Sequence, residues 1–222
     1  DEAHNLADRI RELMSIRITT FSLRKAEQEA QMFDTGTRST IVGIENALNS
    51  LQKHANEERE AFIEKSEFLE LIESNTNNID TVIDELLSAA EQVREHQKKS
   101  FIAAIAKFLE SWTVNDVGYA RILSLGKSKS GKAYLALSHS CLDPALFAKD
   151  VIGQSHSTIA MSGTLQPLSM YQEVLGFDAA RTDLRSYKSP FLKSNRLNII
   201  VKEATTKYSK RTEENYRLIA DY

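Results

Sequence analysis

Asp1-Glu2-Ala3-His4 opens the chain, Met161-Ser162-Gly163-Thr164-Leu165 stands far along it, and the reading of this pair decides the fold. An acidic pair followed by a histidine is what phosphoryl-transfer chemistry needs at the end of a strand. One carboxylate, Asp1, suits a magnesium ion, usually held through water. A second, Glu2, suits the task of orienting and polarising an attacking water. His4 sits one turn on and can hydrogen-bond toward a strand bearing Ser162 and Thr164. Such a link would let nucleotide state move whatever the second string touches. Taken alone the first string is weak, because Asp and Glu also favour a helix N-terminus through the macrodipole, and on spacing alone that reading is equally good. Ser189-Pro190-Phe191 and Thr206-Lys207-Tyr208 follow the pair and favour the first reading. For Ser162, Gly163 and Thr164 the structural alternative is a tight strand-to-helix turn with Thr164 as its cap.

Around these strings lies ordinary globular material, 41% hydrophobic and 27% charged over 222 residues, enough for one large domain or two small ones. No stretch approaches the roughly 18 apolar residues of a membrane span, so no membrane partner is expected. The chain starts on Asp1 without a methionine and without the hydrophobic strand that should lead into it. It therefore reads as a piece of a longer protein. The single cysteine, Cys141, excludes an intrachain disulfide framework and a multi-cysteine metal or iron–sulfur site in this stretch, and it points to a reducing compartment. The net charge of −3 is unevenly spread. Residues 1–110 hold 13 basic and 21 acidic side chains, giving −8, and residues 111–222 hold 15 and 10, giving +5. The basic half is the better place to seek phosphate contacts, although +5 is equally a plain solvated surface.

Between residues 5 and 110 there is no proline, and apolar residues recur at helical spacing. A first helix is expected over about 5–33, carrying Leu6, Ile10, Leu13, Met14 and Phe21, and ended by Asp34-Thr35-Gly36-Thr37. A second runs over about 38–73 with a polar middle at 52–60. A third runs over about 79–111, with Ile79, Val82, Ile83, Leu86, Val93, Ile102, Ile105 and Leu109 on one side. Long helices with short connections make a bundle or hairpin. After Trp112 the period changes. Residues 118–125 and 133–140 are strand candidates around Gly126-Lys127-Ser128-Lys129-Ser130-Gly131-Lys132, a hairpin loop. Lys127, Lys129 and Lys132 are candidate phosphate contacts, or simply a solvated turn. Residues 157–161 and 197–201 read as buried strands. Helices are expected at 143–149, 168–175 and 211–222.

The fold class is thus α/β. A sheet domain is entered at Asp1, left at once, and re-entered near residue 117, with a helical block inserted. Asp-Glu-Ala-His-Asn-Leu at 1–6, Cys-Leu-Asp-Pro at 141–144, Met-Ser-Gly-Thr-Leu at 161–165, Ser-Pro-Phe at 189–191 and Thr-Thr-Lys-Tyr-Ser at 205–209 resemble the XPD family of superfamily-two DNA helicases, the archaeal members above all. The resemblance spans the chain and is specific at those motifs.

The resemblance implies a P-loop (RecA-like) motor with a long helical insertion, the Arch. Its segments would be 1–14 (first motor domain), 15–115 (Arch), 116–188 (return to that domain) and 189–222 (start of the second motor domain). It implies an ATP- and magnesium-dependent helicase moving 5′ to 3′ on single-stranded DNA in DNA repair, nucleotide excision repair included. By the family motifs Asp1 and Glu2 are the acidic pair, with Asp1 the magnesium ligand. His4, Ser162, Gly163 and Thr164 are the coupling residues. A [4Fe–4S] cluster is implied for the parent, with no ligands in this chain. A repair or transcription-factor partner on the Arch is implied too, in the cytoplasm of an archaeon or the nucleus of a eukaryote. The family's phosphate loop and arginine finger have no counterpart here, so the isolated chain is expected to be inactive. Two other classes stay open: a non-catalytic helical module lining a DNA channel or docking a partner, and a structural module with a fortuitous acidic string.

Overall fold

Ile16-Arg17-Ile18-Thr19 alternates β-branched and polar side chains, and it forms a strand, β1 (Ile16–Thr19), inside the helix expected over 5–33. That helix is therefore two: α1 (Leu6–Met14) and α2 (Thr20–Met32). Thr19 ends the strand and caps α2 in a reciprocal box. Its hydroxyl accepts from the Ser22 N–H at 3.0 Å, and the Ser22 hydroxyl accepts from the Thr19 N–H at 2.8 Å. The computed structural model describes residues 2–55, 59–114, 117–128, 130–195 and 197–221. They form two compact units, Asp1–Asp183 and Leu184–Tyr222.

In the first unit the other two expected helices are also divided. The second becomes α3 (Arg38–Ser50), a 3-10 turn, strand β2 (Glu60–Phe62) and α4 (Lys65–Asn75). The third becomes α5 (Ile79–Arg94) and α6 (Phe101–Thr113). A buried carboxylate from a distant helix fixes this last break. Glu29 of α2 accepts from the side chains of Gln97 and Ser100 (the latter at 2.9 Å) and from the Ile102 N–H at 2.8 Å. It thus satisfies first-turn donors of α6 and meets the positive end of its dipole. The hairpin strands fall where the alternation placed them, as β3 (Tyr119–Lys127) and β4 (Ala133–Cys141).

The four strands make one sheet in the order β1-β4-β3-β2, antiparallel throughout. Its inner face, Ile18, Leu123, Leu135, Leu137 and His139, is buried on the helices. The stripe from Ile79 to Leu109 lies in the same core, as do Ile41, Ile44, Leu48, Phe68 and Ile72. Phe68, Phe108 and Trp112 meet edge-on or tilted, with centroids 5.2–6.5 Å apart. Such pairs add about 0.5–1.5 kcal/mol each beyond area burial.

α6 and β3, on either side of residues 115 and 116, share one sheet-and-helix core, and the first compact unit runs to Asp183. Two expectations, the buried stripe of the first helix and two of the strands, are corrected here. Leu6, Leu13, Met14 and Phe21 are exposed, because β1 turns the chain between the two short helices. Residues 157–161 and 197–200 are exposed, Val201 is half-buried, and neither segment is a strand. A strand exists only where a neighbour takes up its N–H and C=O groups, and none of the four strands pairs with either segment. Among the described residues there is no parallel sheet of the RecA-like kind; the fold is mixed α/β. The remaining helices of the unit are α7 (Ala145–Gln154) and α8 (Leu168–Val174). Among the described residues no helix is long and apolar enough to cross a membrane.

Among the described residues the second unit has one α-helix, α9 (Glu213–Ala220), capped by Thr212, whose hydroxyl accepts from the Asn215 N–H at 3.2 Å. The Asn215 side chain donates to the Thr205 carbonyl at 2.6 Å and accepts from the Thr205 N–H at 3.2 Å. This pins the Thr-Thr-Lys-Tyr-Ser segment against the helix.

Two stability predictions follow from the packing. Gly43 on α3 lies where a methyl group would collide with the Thr76 side chain and the Asn75 carbonyl. Helix propensity alone favours Gly43→Ala by about 1 kcal/mol. The collision should reverse the sign and cost about 1–3 kcal/mol, measured by urea unfolding. His139 is fully buried, its Nδ1 paired with the Ser111 hydroxyl at 2.8 Å. Burial first, then the positive charges of Arg121 and Lys65, push its pKa down to about 4 from 6.5. The unfolded chain therefore binds a proton that the folded chain refuses. Stability is full above pH 6.5 and falls as pH drops toward 4, by about 3 kcal/mol in total. In His139→Gln that slope should vanish from the difference curve of unfolding free energy against pH.

Candidate functional site

Glu2 has left-handed backbone angles (φ 57°), a conformation that costs a non-glycine residue about 1 kcal/mol. The turn it makes sends Ala3, His4 and Asn5 into a single 3-10 turn that runs on into α1. The Ala3 N–H donates to the Met161 carbonyl at 3.1 Å. Beside this backbone bond, His4 Nδ1 lies 2.6 Å from the Ser162 hydroxyl and 3.1 Å from Glu2 Oε2. Ser162 Oγ in turn lies 3.4 Å from Thr164 Oγ1 and accepts from the Thr164 N–H at 3.3 Å. Four residues singled out in the sequence, Glu2, His4, Ser162 and Thr164, therefore stand in one chain of contacts. Asp1, the expected magnesium ligand, lies outside the described residues.

Two partners meet at Nδ1. A carboxylate only accepts, whereas the Ser162 hydroxyl can accept from an Nδ1–H or donate to a bare Nδ1. Because both partners meet the same ring nitrogen, the imidazole does not relay a proton from one to the other as in a nucleophilic triad, where the two contacts fall on opposite nitrogens.

Glu2 stands at the N-cap of the 3-10 turn that runs into α1, where the helix-start reading also places it, although its side chain makes no cap hydrogen bond. Pro167 occupies the N-cap of α8, so Thr164 caps no helix. Gly163 has open space where a Cβ would stand. No close approach demands glycine there in this arrangement.

The hairpin lysines form a separate place. Lys127 and Lys132 are exposed at the ends of β3 and β4, across a turn closed by Ser128 N–H to the Lys132 carbonyl at 2.8 Å. Lys129 lies outside the described residues. The opposite end of β4 meets α1, and nine residues of strand span about 27 Å, so the lysines are not part of the His4 cluster.

Sequence reasoning missed the residues that hold α1 in place. The Cys141 N–H donates to the Ser15 hydroxyl at 2.9 Å, Arg11 Nε donates to the Leu142 carbonyl at 3.3 Å, and the Tyr119 hydroxyl donates to the Met14 carbonyl at 3.3 Å. No local signal marks them, since each partner lies more than a hundred residues away. Along α1, Leu6, Ile10 and Leu13 face Phe147 and Val151 of α7 and Ile159 across an apolar cleft of about 660 Å³ that opens beside Glu2. Among the described residues no group of three or more His, Cys, Asp or Glu side chains is placed to hold a metal ion. No protein-family model matches the chain.

The His4–Ser162 contact has a direct measure. In a double-mutant cycle of His4→Ala and Ser162→Ala, the coupling free energy from urea unfolding should be about 0.5–1.5 kcal/mol, the worth of a partly buried hydrogen bond. Strict additivity of the two substitutions would show that the pair does not interact.

Proposed function

We propose that this chain is the central part of an XPD-like, ATP-dependent 5′–3′ DNA helicase of DNA repair, with the helical block as its Arch and residues 189–222 as the start of the second motor domain. The observation that carries the proposal is the meeting of His4 with Ser162 at 2.6 Å across the whole inserted block. Two strings read separately as an acidic catalytic motif and its coupling partner are in contact, held by a backbone hydrogen bond between Ala3 and Met161.

In this reading Glu2 orients the water that attacks the γ-phosphate, and Asp1 holds magnesium. Magnesium is commonly bound by one or two carboxylates together with substrate phosphates, so the site needs no larger cage of protein ligands. When bound, the metal neutralises charge developing on the transferring phosphoryl group. When Glu2 turns toward the water, His4 Nδ1 keeps its contact with Ser162 and loses the one with Glu2. The state of the nucleotide is thereby felt at Ser162, Thr164 and the backbone at Met161. The phosphate cradle and arginine finger come from elsewhere in the parent. An iron–sulfur cluster of the expected kind needs four thiolates. This chain has one cysteine, Cys141, buried and with its thiol pKa pushed up by burial, so its residues do not fit the cluster and no step runs through it.

In the parent enzyme Glu2→Gln should retain ATP binding and lower turnover by about 10²–10⁴-fold, the usual worth of a general base. Ser162→Ala and Thr164→Ala should depress unwinding much more than DNA-stimulated ATPase. ATPase near the unaltered rate in Glu2→Gln would sink the role of Glu2. A parallel loss of unwinding, ATPase and melting temperature in the alanine variants would reduce Ser162 and Thr164 to structure.

A further inference from the structure

The outer face of the sheet carries a pattern that the motor chemistry does not use. One row of cross-strand partners runs across all four strands as Arg17, Ser138, Ile122 and Phe62. Phe62 closes the row on the edge strand β2 and is 82% exposed. A phenyl ring displayed on an edge, rather than turned into the core, is an informative exception to burial. Nearer the hairpin end, Gly126 faces Tyr134 across the β3–β4 ladder. A Cβ on residue 126 would meet the Tyr134 ring atoms at 2.5–2.9 Å, so the absence of a side chain lets that ring lie on the backbone. Residues 122 and 126 are about 13 Å apart along the strand, and the row from β1 to β2 is about 14 Å wide.

Charge points to the occupant. Arg17 stands at the end of the row opposite Phe62, and Lys132 is exposed at the hairpin end, next to Tyr134, while Lys127 has the register of the inner face. Glu60 is the acidic residue at the outward positions of the strands. The face is thus net positive on a chain whose total is −3. On its floor Ser138 donates to the Ile122 carbonyl at 3.2 Å and Ser140 to Ser138 at 3.0 Å. Ring faces beside cations suit a polymer with flat apolar units and a repeating negative charge. Duplex bases are stacked out of reach of such rings, whereas those of a single strand are free to stack.

We propose that this outer sheet face is a sequence-tolerant platform for single-stranded nucleic acid, with bases stacking on Phe62 and Tyr134 and phosphates meeting Arg17 and Lys132. The proposal rests on the single-stranded DNA reading above for the identity of its polymer.

Binding of a labelled oligothymidylate to the 222-residue chain, without nucleotide, is read by fluorescence anisotropy across a salt series. Phe62→Ala should weaken binding about 5- to 100-fold, the usual loss for one stacked base, while Phe62→Trp should hold or improve it. Arg17→Gln should reduce the slope of log affinity against log salt by about 0.7. Phe62→Ala removes exposed surface and should leave the melting temperature unchanged. If it melts lower, the comparison is carried by Phe62→Trp against Phe62→Gln. Binding by the unaltered chain that is indifferent to residue 62 would overturn the platform and leave the DNA reading standing. Binding of duplex as tightly as single strand, or of an apolar peptide in preference to either, would overturn the platform in favour of another ligand. No binding at low salt would remove this chain from the DNA path, while the ATPase of the Glu2→Gln parent would still decide the motor reading.

Discussion

The C-terminal turn of α6 is received by two cations, and the joint between helices and sheet depends on that reception. A helix ends with carbonyls that have no partner within it and with the negative end of its dipole. Here Arg121 of β3 donates to the carbonyls of Trp112 and Val114, at 2.7 and 3.3 Å, and Lys65 of α4 donates to those of Thr113 and Val114. The Arg121 guanidinium also lies over the Trp112 ring, 4.9 Å from its centroid, while the indole N–H donates back to the Lys65 carbonyl at 3.2 Å. A strand, two helices and the largest buried side chain are thereby tied at one point. Charged donors at a helix terminus are worth more per bond than neutral ones, and buried ones hold only if their partners stay in place. His139, pressed between Trp112 and Tyr119, must stay neutral beside these cations.

From this joint the structure reaches the candidate site through α1. At its C-terminal end the helix is bound to β4 by Ser15 and Arg11, and at its N-terminal end the preceding turn is bound to the Met161–Ser162 segment by Ala3 and His4. A helix of nine residues, about 13 Å long, thus stands between the acidic motif and the sheet. The helical block and the candidate site are thus joined by α1, which is hydrogen-bonded at both of its ends.

The errors of the sequence reading have a common physical origin. Helical periodicity over 79–111 was real, and Ile79, Val82, Leu86, Val93, Ile102, Ile105 and Leu109 are buried as the spacing required, whereas over 5–33 Leu6, Leu13, Met14 and Phe21 are exposed. The breaks within these spans were set by distant groups. Glu29 divides 79–111, and pairing with β4 converts Ile16–Thr19 to a strand. The alternation Ile16-Arg17-Ile18-Thr19 was a legible strand signal, hidden by the helical residues on both sides. At 157–161 the opposite happened: the apolar run read as a strand, but the sheet offers it no edge.

The sequence by itself determined that helices precede an antiparallel hairpin, that the stripe from Ile79 to Leu109 is core, and that Glu2, His4, Ser162 and Thr164 are the residues to watch. It did so because periodicity and turn chemistry are local properties of the chain. Only the tertiary structure decided that His4 and Ser162 touch, that the hairpin shares its sheet with two strands of the helical block, and that Arg17 and Phe62 stand in one row across it. Those facts depend on hydrogen bonds between residues far apart in the chain, and no local pattern encodes the register in which such bonds form.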